Sequence, residues 1–204
     1  MRKRISNLLV VAVIAALVSC EQAGSPPQGP SRTAEPSQAA QTRPAQWAQP
    51  IEARGLPNLH KVSDALYRGA QPEDEGFAEL KALGIKTVVN LRTLHSDRDE
   101  CREAGLEYVH ITVQAWEGET EEVIDFLKVA TDPARQPVFV HCQHGADRTG
   151  TMCAIYRIVV EGWSKEETLQ EMTEGGFGFH SVWQNLIKYI RELDIESLKS
   201  QAGL

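Results

Sequence analysis

Residues 137–150 read PVFVHCQHGADRTG. Pro137 to Val140 is a short apolar run of the kind found in a strand at the centre of a sheet, and from Arg148 the pattern is helical up to Val160. A strand that passes through a tight loop into a helix is the unit from which α/β folds are built. In such sheets the ligand crevice lies beyond the carboxyl ends of the strands, which is where this loop sits.

The flanking sequence repeats the alternation. Ala65 to Arg68, Lys86 to Leu91 and Glu107 to Val113 have strand character. Glu73 to Leu83, Ser96 to Ala104, Glu119 to Thr131, Lys165 to Met172 and Ser181 to Leu193 have helical periodicity, the first two closing at Gly84 and Gly105. The expected fold is α/β: a mostly parallel central sheet flanked by helices in a single domain. At 204 residues, 42% hydrophobic and 24% charged, the chain has the composition of one core.

The loop itself carries the chemistry. A helix start offers unpaired backbone N–H groups and the positive end of the helix dipole, so it attracts an anion. Arg148 adds a planar fork matched to two phosphate oxygens. Cys142, at the base of this cradle, is in a field that favours thiolate over thiol, and a thiolate facing a bound phosphoryl group is placed to attack phosphorus. Gly145 suits a position where a side chain would block converging amides. Thr149 can donate its hydroxyl to the sulfur as leaving group, and His141 is placed to hold the loop. Gln143, His144, Gly145 and Ala146 complete the lining expected around the phosphate.

These residues resemble the signature of the protein tyrosine phosphatase superfamily, His-Cys-x5-Arg-Ser/Thr, and more closely its compact dual-specificity-like bacterial branch. His141, Cys142, Gly145, Arg148, Thr149 and Gly150 match it. LYRGAQP at 66–72 and GIKTVVNLR at 84–92 are similar to the opening of that branch, so the resemblance covers roughly residues 58 to 193. It implies hydrolysis of phosphate monoesters through a cysteinyl-phosphate intermediate, without metal or other cofactor. The substrate implied is a phosphorylated protein, a phosphoinositide or an inositol phosphate.

Relatives in that superfamily usually carry a general-acid aspartate on a separate loop roughly thirty residues before the cysteine. Here that loop reads Gln114-Ala115-Trp116-Glu117-Gly118-Glu119 and holds no aspartate. Two candidates stand in. Asp147 lies inside the signature, in an arrangement similar to that of myotubularins and some secreted bacterial phosphatases, and it also suits an N-cap. Glu117 is the rival, a carboxyl beside Trp116. Arg92 ends a central strand and either binds a second phosphate or pairs with Asp97 or Asp99. His180 and Gln184 follow a glycine-rich aromatic stretch and are further candidates for the pocket lining.

The first fifty residues do not read as core. A basic start, an apolar run from Leu8 to Val18 and the ending Leu17-Val18-Ser19-Cys20 resemble a bacterial lipoprotein signal, 1–20, with Cys20 as the lipidation point. Glu21 after it fits export to the outer membrane. Residues 21–50, rich in Pro, Gln, Ala and Ser, read as a disordered tether, leaving 51–204 as the catalytic domain. The expected location is therefore the cell envelope, held by an acyl anchor, with the catalytic domain a monomer.

From Ile51 onward sixteen Lys and Arg face twenty-six Asp and Glu, a net charge of −10 with His neutral. Such a surface disfavours nucleic acid, so any anionic ligand needs a local positive site. Of the four cysteines, 20, 101, 142 and 153, acylation of Cys20 leaves an odd number, which argues against a disulfide framework. Three other readings of the loop stay open: a metal site built on His141, Cys142 and His144, a rhodanese-like sulfurtransferase, and a phosphate-binding lipoprotein without turnover.

Overall fold

The computed structural model describes residues 43–114 and 120–204. Among these the sheet has six strands: β1 (Gln49–Pro50), β2 (His60–Lys61), β3 (Leu66–Gly69), β4 (Thr87–Asn90), β5 (Glu107–His110) and β6 (Val138–His141), in the order β1-β2-β3-β6-β4-β5. β3, β6, β4 and β5 run parallel, and β1 and β2 extend one edge antiparallel. The expected mostly parallel α/β sheet is the one observed.

β6 is central because it is apolar on both faces, and all four of its residues are buried. Its two-residue period sends Val138 and Val140 into one core and Phe139 into the other. The helices α1 (Gly76–Ala82) and α2 (Arg98–Ala104) cover the Phe139 side, bringing Phe77, Leu80 and Cys101 against Val88. The opposite face is covered by α3 (Thr120–Thr131), α4 (Asp147–Val159) and α7 (Ile195–Ala202), with Phe126, Leu127, Ile155 and Leu198 packed on Val89 and Val140. Phe139 is fully buried, so truncation to Ala there would cost roughly 3–5 kcal/mol. α5 (Lys165–Glu174) and α6 (Gln184–Glu192) pack behind α4 through Leu169, Met172 and Ile190.

Local signals set several boundaries. Ser164 and Glu167 form a capping box that starts α5. Gly105 closes α2 at φ 67°, a left-handed position that glycine takes without strain. Elsewhere the expected edges move: α1 starts at Gly76 rather than Glu73, α6 at Gln184 rather than Ser181, and β5 ends at His110 rather than Val113. β1, β2 and α7 lay outside the sequence expectations. α7 had its markers in Asp194, which accepts from the Ser197 amide, and Gly203 at φ 79°.

The expected tether of residues 21–50 is overturned from Arg43 onward. Arg43 donates from Nε to Ala48 O at 2.7 Å and from Nη1 to Gly175 O at 2.5 Å, and Ala48 is 1% exposed. The Ala48 amide donates to Glu171 Oε1 at 2.6 Å, and Glu171 is in turn bonded to Arg157 at 2.8 and 2.9 Å. This buried pair holds the segment through partners more than a hundred residues away. Composition carries no trace of such contacts, whereas removing one partner of a buried pair costs about 3–5 kcal/mol. Residues 1–42, including Cys20 and most of the expected tether, lie outside the described residues.

Candidate active site

The loop expected at the carboxyl edge of the sheet is there. β6 ends at His141, flanked in register by Gly69 of β3 and Asn90 of β4, and residues 142–146 lead into α4. Cys142 is 3% exposed at the base of this turn.

Three contacts shape the loop. Gln143 O accepts from the Gln71 amide at 3.3 Å, His144 O from Asn58 Nδ2 at 3.0 Å, and Gly145 O from Arg68 Nη2 at 2.7 Å. Across a planar trans peptide the carbonyl of one residue and the amide of the next point in opposite directions. Carbonyls drawn toward the 58–71 segment therefore turn the amides of His144, Gly145 and Ala146 the other way. Among the described residues none of these three amides has an acceptor. Successive amides free on one side of a turn, ahead of a helix start, make an anion-binding concavity.

Gly145 is required twice over. Its φ is +68°, and a Cβ there would lie 2.5–2.6 Å from backbone atoms of Gly69 and Ala70. The close approach of the two segments is what lets Arg68 reach the Gly145 carbonyl.

Arg148 occupies the first turn of α4, and its Nη1 lies 3.3 Å from Leu91 O and 3.4 Å from Val113 O, the carbonyls of the chain leaving β4 and β5. It thus spans the sheet edge beside the loop. Thr149 Oγ1 is buried without a hydrogen-bond partner among the described residues, so the expected bond to the Cys142 sulfur is not made in this structure. Gln143 and His144 are exposed at the rim, and Ala146 is buried.

Asp147 departs from the N-cap expected of it. Ala146 occupies that position with no side-chain cap, and both Asp147 oxygens accept from His180 instead, Oδ1 from its amide at 2.9 Å and Oδ2 facing its Nδ1 at 2.8 Å. The carboxylate of the buried Asp147 thus faces the loop before α6. His180 also meets the His144 ring edge-on at 5.6 Å. Glu117, the other acid candidate, lies outside the described residues.

Of the two readings left open for Arg92, the pairing with Asp97 or Asp99 is not made. Its Nη1 donates to Gln71 Oε1 at 2.8 Å, its amide to Asn90 Oδ1, and Asp99 pairs with Arg102. Asp97 is instead the buried hub beneath the loop. It accepts from Gln71 Nε2 at 2.6 Å and Asn90 Nδ2 at 2.5 Å, and it faces His95 at 3.0 Å and His141 Nε2 at 3.1 Å. Burial works against its charge, but the His141 ring, Gln71 and His95 outweigh it and hold its carboxyl below the usual range. His141 itself is fully buried and stacked on Phe139, with its Nδ1 3.4 Å from Cys142 O.

Sequence reasoning passed over Asp97 as a hub and Arg68 and Asn58 as loop supports. The markers were the LYRGAQP segment next to the signature and Asn58, which adopts φ 56°, a conformation rare outside glycine. Cys101 lies in the core on the other face of the sheet from Cys142, and burial pushes its thiol up to about 12. Among the described residues no three His, Cys, Asp or Glu side chains stand close enough to hold a metal ion.

Comparison with known proteins agrees with this geometry. The family model described as "DSP-PTPase phosphatase fused to NAD+ Kinase" matches residues 45–188. The chain belongs to this dual-specificity phosphatase family. TpbA of Pseudomonas aeruginosa, a dual specificity protein phosphatase, is 36% identical over 172 residues, covering 84% of this chain and 76% of that protein. Its crystal structure matches with a TM-score of 0.71 at 35% identity, over 80% of this chain and all of that one. A second TpbA structure, in complex with pTyr, matches at 0.70 and 34% identity, over 79% and 99%. An inositol diphosphatase of Arabidopsis thaliana is 28% identical over 153 residues, 70% of this chain and 72% of that protein. The chain is a cysteine-dependent phosphatase of the dual-specificity type.

The Asp97 hub has a consequence for acid stability. A native carboxyl depressed below the ordinary value of about 3.9 adds stability that is complete above that value and fades as pH falls through the lower native one. Asp97→Asn is expected to lose about 1–3 kcal/mol in urea titration at neutral pH, with the difference from the parent shrinking below about pH 4. A difference that stays constant into strong acid would contradict the ionised hub.

Proposed function

We propose that the protein hydrolyses phosphate monoesters with Cys142 as nucleophile, Arg148 and the amides of residues 144–146 as the oxyanion cradle, and protein phosphotyrosine as substrate. The observation that carries this is the set of carbonyls at 143–145 drawn back toward the 58–71 segment, which leaves the amides of residues 144–146 without an acceptor among the described residues, in the loop between Cys142 and Arg148. A phosphoryl group seated there has its non-bridging oxygens matched by donors fixed before the reaction, which is how such sites stabilise developing charge. Attack by the Cys142 sulfur forms the S–P bond and expels the ester oxygen. Water then cleaves the S–P bond, returning the thiolate, and Thr149, with its unpartnered hydroxyl, is the donor to sulfur in that second step.

Asp147 is the proposed general acid for the ester oxygen and then the base for water, oriented by its bonds to His180; Glu117 is its rival. Arg92, held by Gln71 next to the loop, is the proposed contact for groups beyond the scissile phosphate. The pTyr complex of TpbA favours the phosphotyrosine reading. The similarity to an inositol diphosphatase favours inositol phosphates as a second substrate class, and a screen over phosphotyrosyl peptides, phosphoinositides and inositol phosphates separates the two.

We further propose that the chain is lipidated at Cys20, contacts an envelope membrane through that acyl anchor, and acts as a monomer. The supporting feature is the lipobox-like ending of the apolar run; among the described residues no helix is long and apolar enough to cross a membrane. Radiolabelled palmitate incorporated by the full chain and lost in Cys20→Ala is the expected result, and equal labelling of both would refute the anchor.

Cys142→Ser is expected to reduce phosphotyrosine turnover at least roughly a thousandfold while vanadate still binds. Retained activity would show that another residue attacks. Asp147→Asn is expected to lower kcat about 100-fold and flatten one limb of the pH–rate profile, with Glu117→Gln changing kcat less than about fivefold. The reverse order would move the acid to Glu117.

A further inference from the structure

Arg68 is 2% exposed, one of the largest side chains fully buried in the molecule. Its Nη2 bonds the Gly145 carbonyl and its guanidinium lies 3.7 Å from the centre of the Phe177 ring, while Nε is buried without a hydrogen-bond partner among the described residues. Among the described residues no carboxylate pairs with it. A buried cation in that condition needs a counter-charge, because arginine does not shed its proton.

Glu171, Arg157, Arg43, His60 and the thiols of Cys153 and Cys142 are near enough to Arg68 to interact with it electrostatically, and Arg43, like Arg157, is a cation. Cys153 does not serve: burial pushes its thiol up to about 11, so it is neutral at physiological pH. Glu171 is committed, bonded twice to Arg157 and once to the Ala48 amide. Arg157 has the same sign as Arg68. What remains is the active-site end, which Arg68 meets directly through the Gly145 carbonyl: the anion that the loop holds.

We propose that Arg68 is a positioning residue whose buried positive charge acts from behind the phosphate loop, as counter-charge to the anion that Arg148 and the loop amides hold in front. The inference rests on the phosphatase reading and extends it to a residue outside the signature. It gives the arginine of LYRGAQP a role that a loop support alone does not require, since a neutral donor would hold the Gly145 carbonyl equally well. Placed in the core, the charge is shielded from salt and needs no reorganisation when substrate enters.

The test separates charge from support in the full chain. Arg68→Gln keeps a donor and removes the charge; Arg68→Lys keeps the charge and loses the fork. Vanadate inhibition, kcat and KM for p-nitrophenyl phosphate, and melting with and without vanadate are measured on each. Arg68→Gln is expected to raise the vanadate inhibition constant at least tenfold, at low and high salt alike, and to lose most of the vanadate-induced rise in Tm. Arg68→Lys is expected to stay within about threefold of the parent. An Arg68→Gln variant that inhibits like the parent, or an Arg68→Lys variant as weak as Arg68→Gln, overturns the proposal. Should Arg68→Gln fail to fold, Arg68→Lys decides alone: a tenfold weaker inhibition by vanadate in the folded variant overturns it. A parent with neither turnover nor vanadate inhibition would overturn the phosphatase reading itself, a result distinct from any difference among the variants.

Discussion

The site depends on the orientation of three peptide planes. Carbonyls at 143, 144 and 145 are drawn back by Gln71, Asn58 and Arg68, and planarity then turns the following amides the other way. An anion cradle made of backbone has no side chain to specify it, so the protein specifies it by satisfying the opposite ends of the same peptides. That arrangement requires β3 and its flanks to lie directly beside β6, and it tolerates no Cβ at Gly145.

Around this cradle, the polar groups the fold buries are arranged in two tiers. Beneath the strand ends, Asp97 gathers Gln71, Asn90, His95 and His141, which ties β3, β4, β6 and the chain before α2 to one carboxylate. Behind the loop, Arg68 lies under Phe177, whose ring is also met edge-on by His60 at 4.8 Å. Asn58 bonds the carbonyls of both His144 and Phe177, so one amide side chain joins the catalytic loop to the segment before α6. Buried polar networks of this type are costly when half-satisfied, and most members here have partners; their atoms without a hydrogen bond among the described residues are Arg68 Nε, Thr149 Oγ1 and His141 Nε2, the last facing the Asp97 carboxylate at 3.1 Å.

The Arg43–Pro50 segment shows how far such contacts reach. Its anchor is the Arg157–Glu171 pair on α4 and α5, and Arg43 also lies 5.0 Å from the Phe177 ring. The start of the described chain is thereby connected to the layer that roofs Arg68. A short polar sequence becomes part of the fold because distant residues satisfy its backbone, not because it buries much apolar surface.

The strand-loop-helix order, the parallel sheet and the identities of Cys142, Gly145 and Arg148 were legible in the chain, because periodicity and a contiguous signature are local properties. Local chemistry also marked the ends of α2 and α5. What only the tertiary structure decided was which distant residues meet the loop: that Arg68 and Asn58 hold its carbonyls, that Asp97 lies under His141 rather than against Arg92, and that Asp147 turns to His180 instead of capping α4. Those choices follow from strand order and register and from how the segment before α6 packs, which bring residues 33 to 86 positions apart into contact, and a contact between distant residues leaves no periodic mark on either segment.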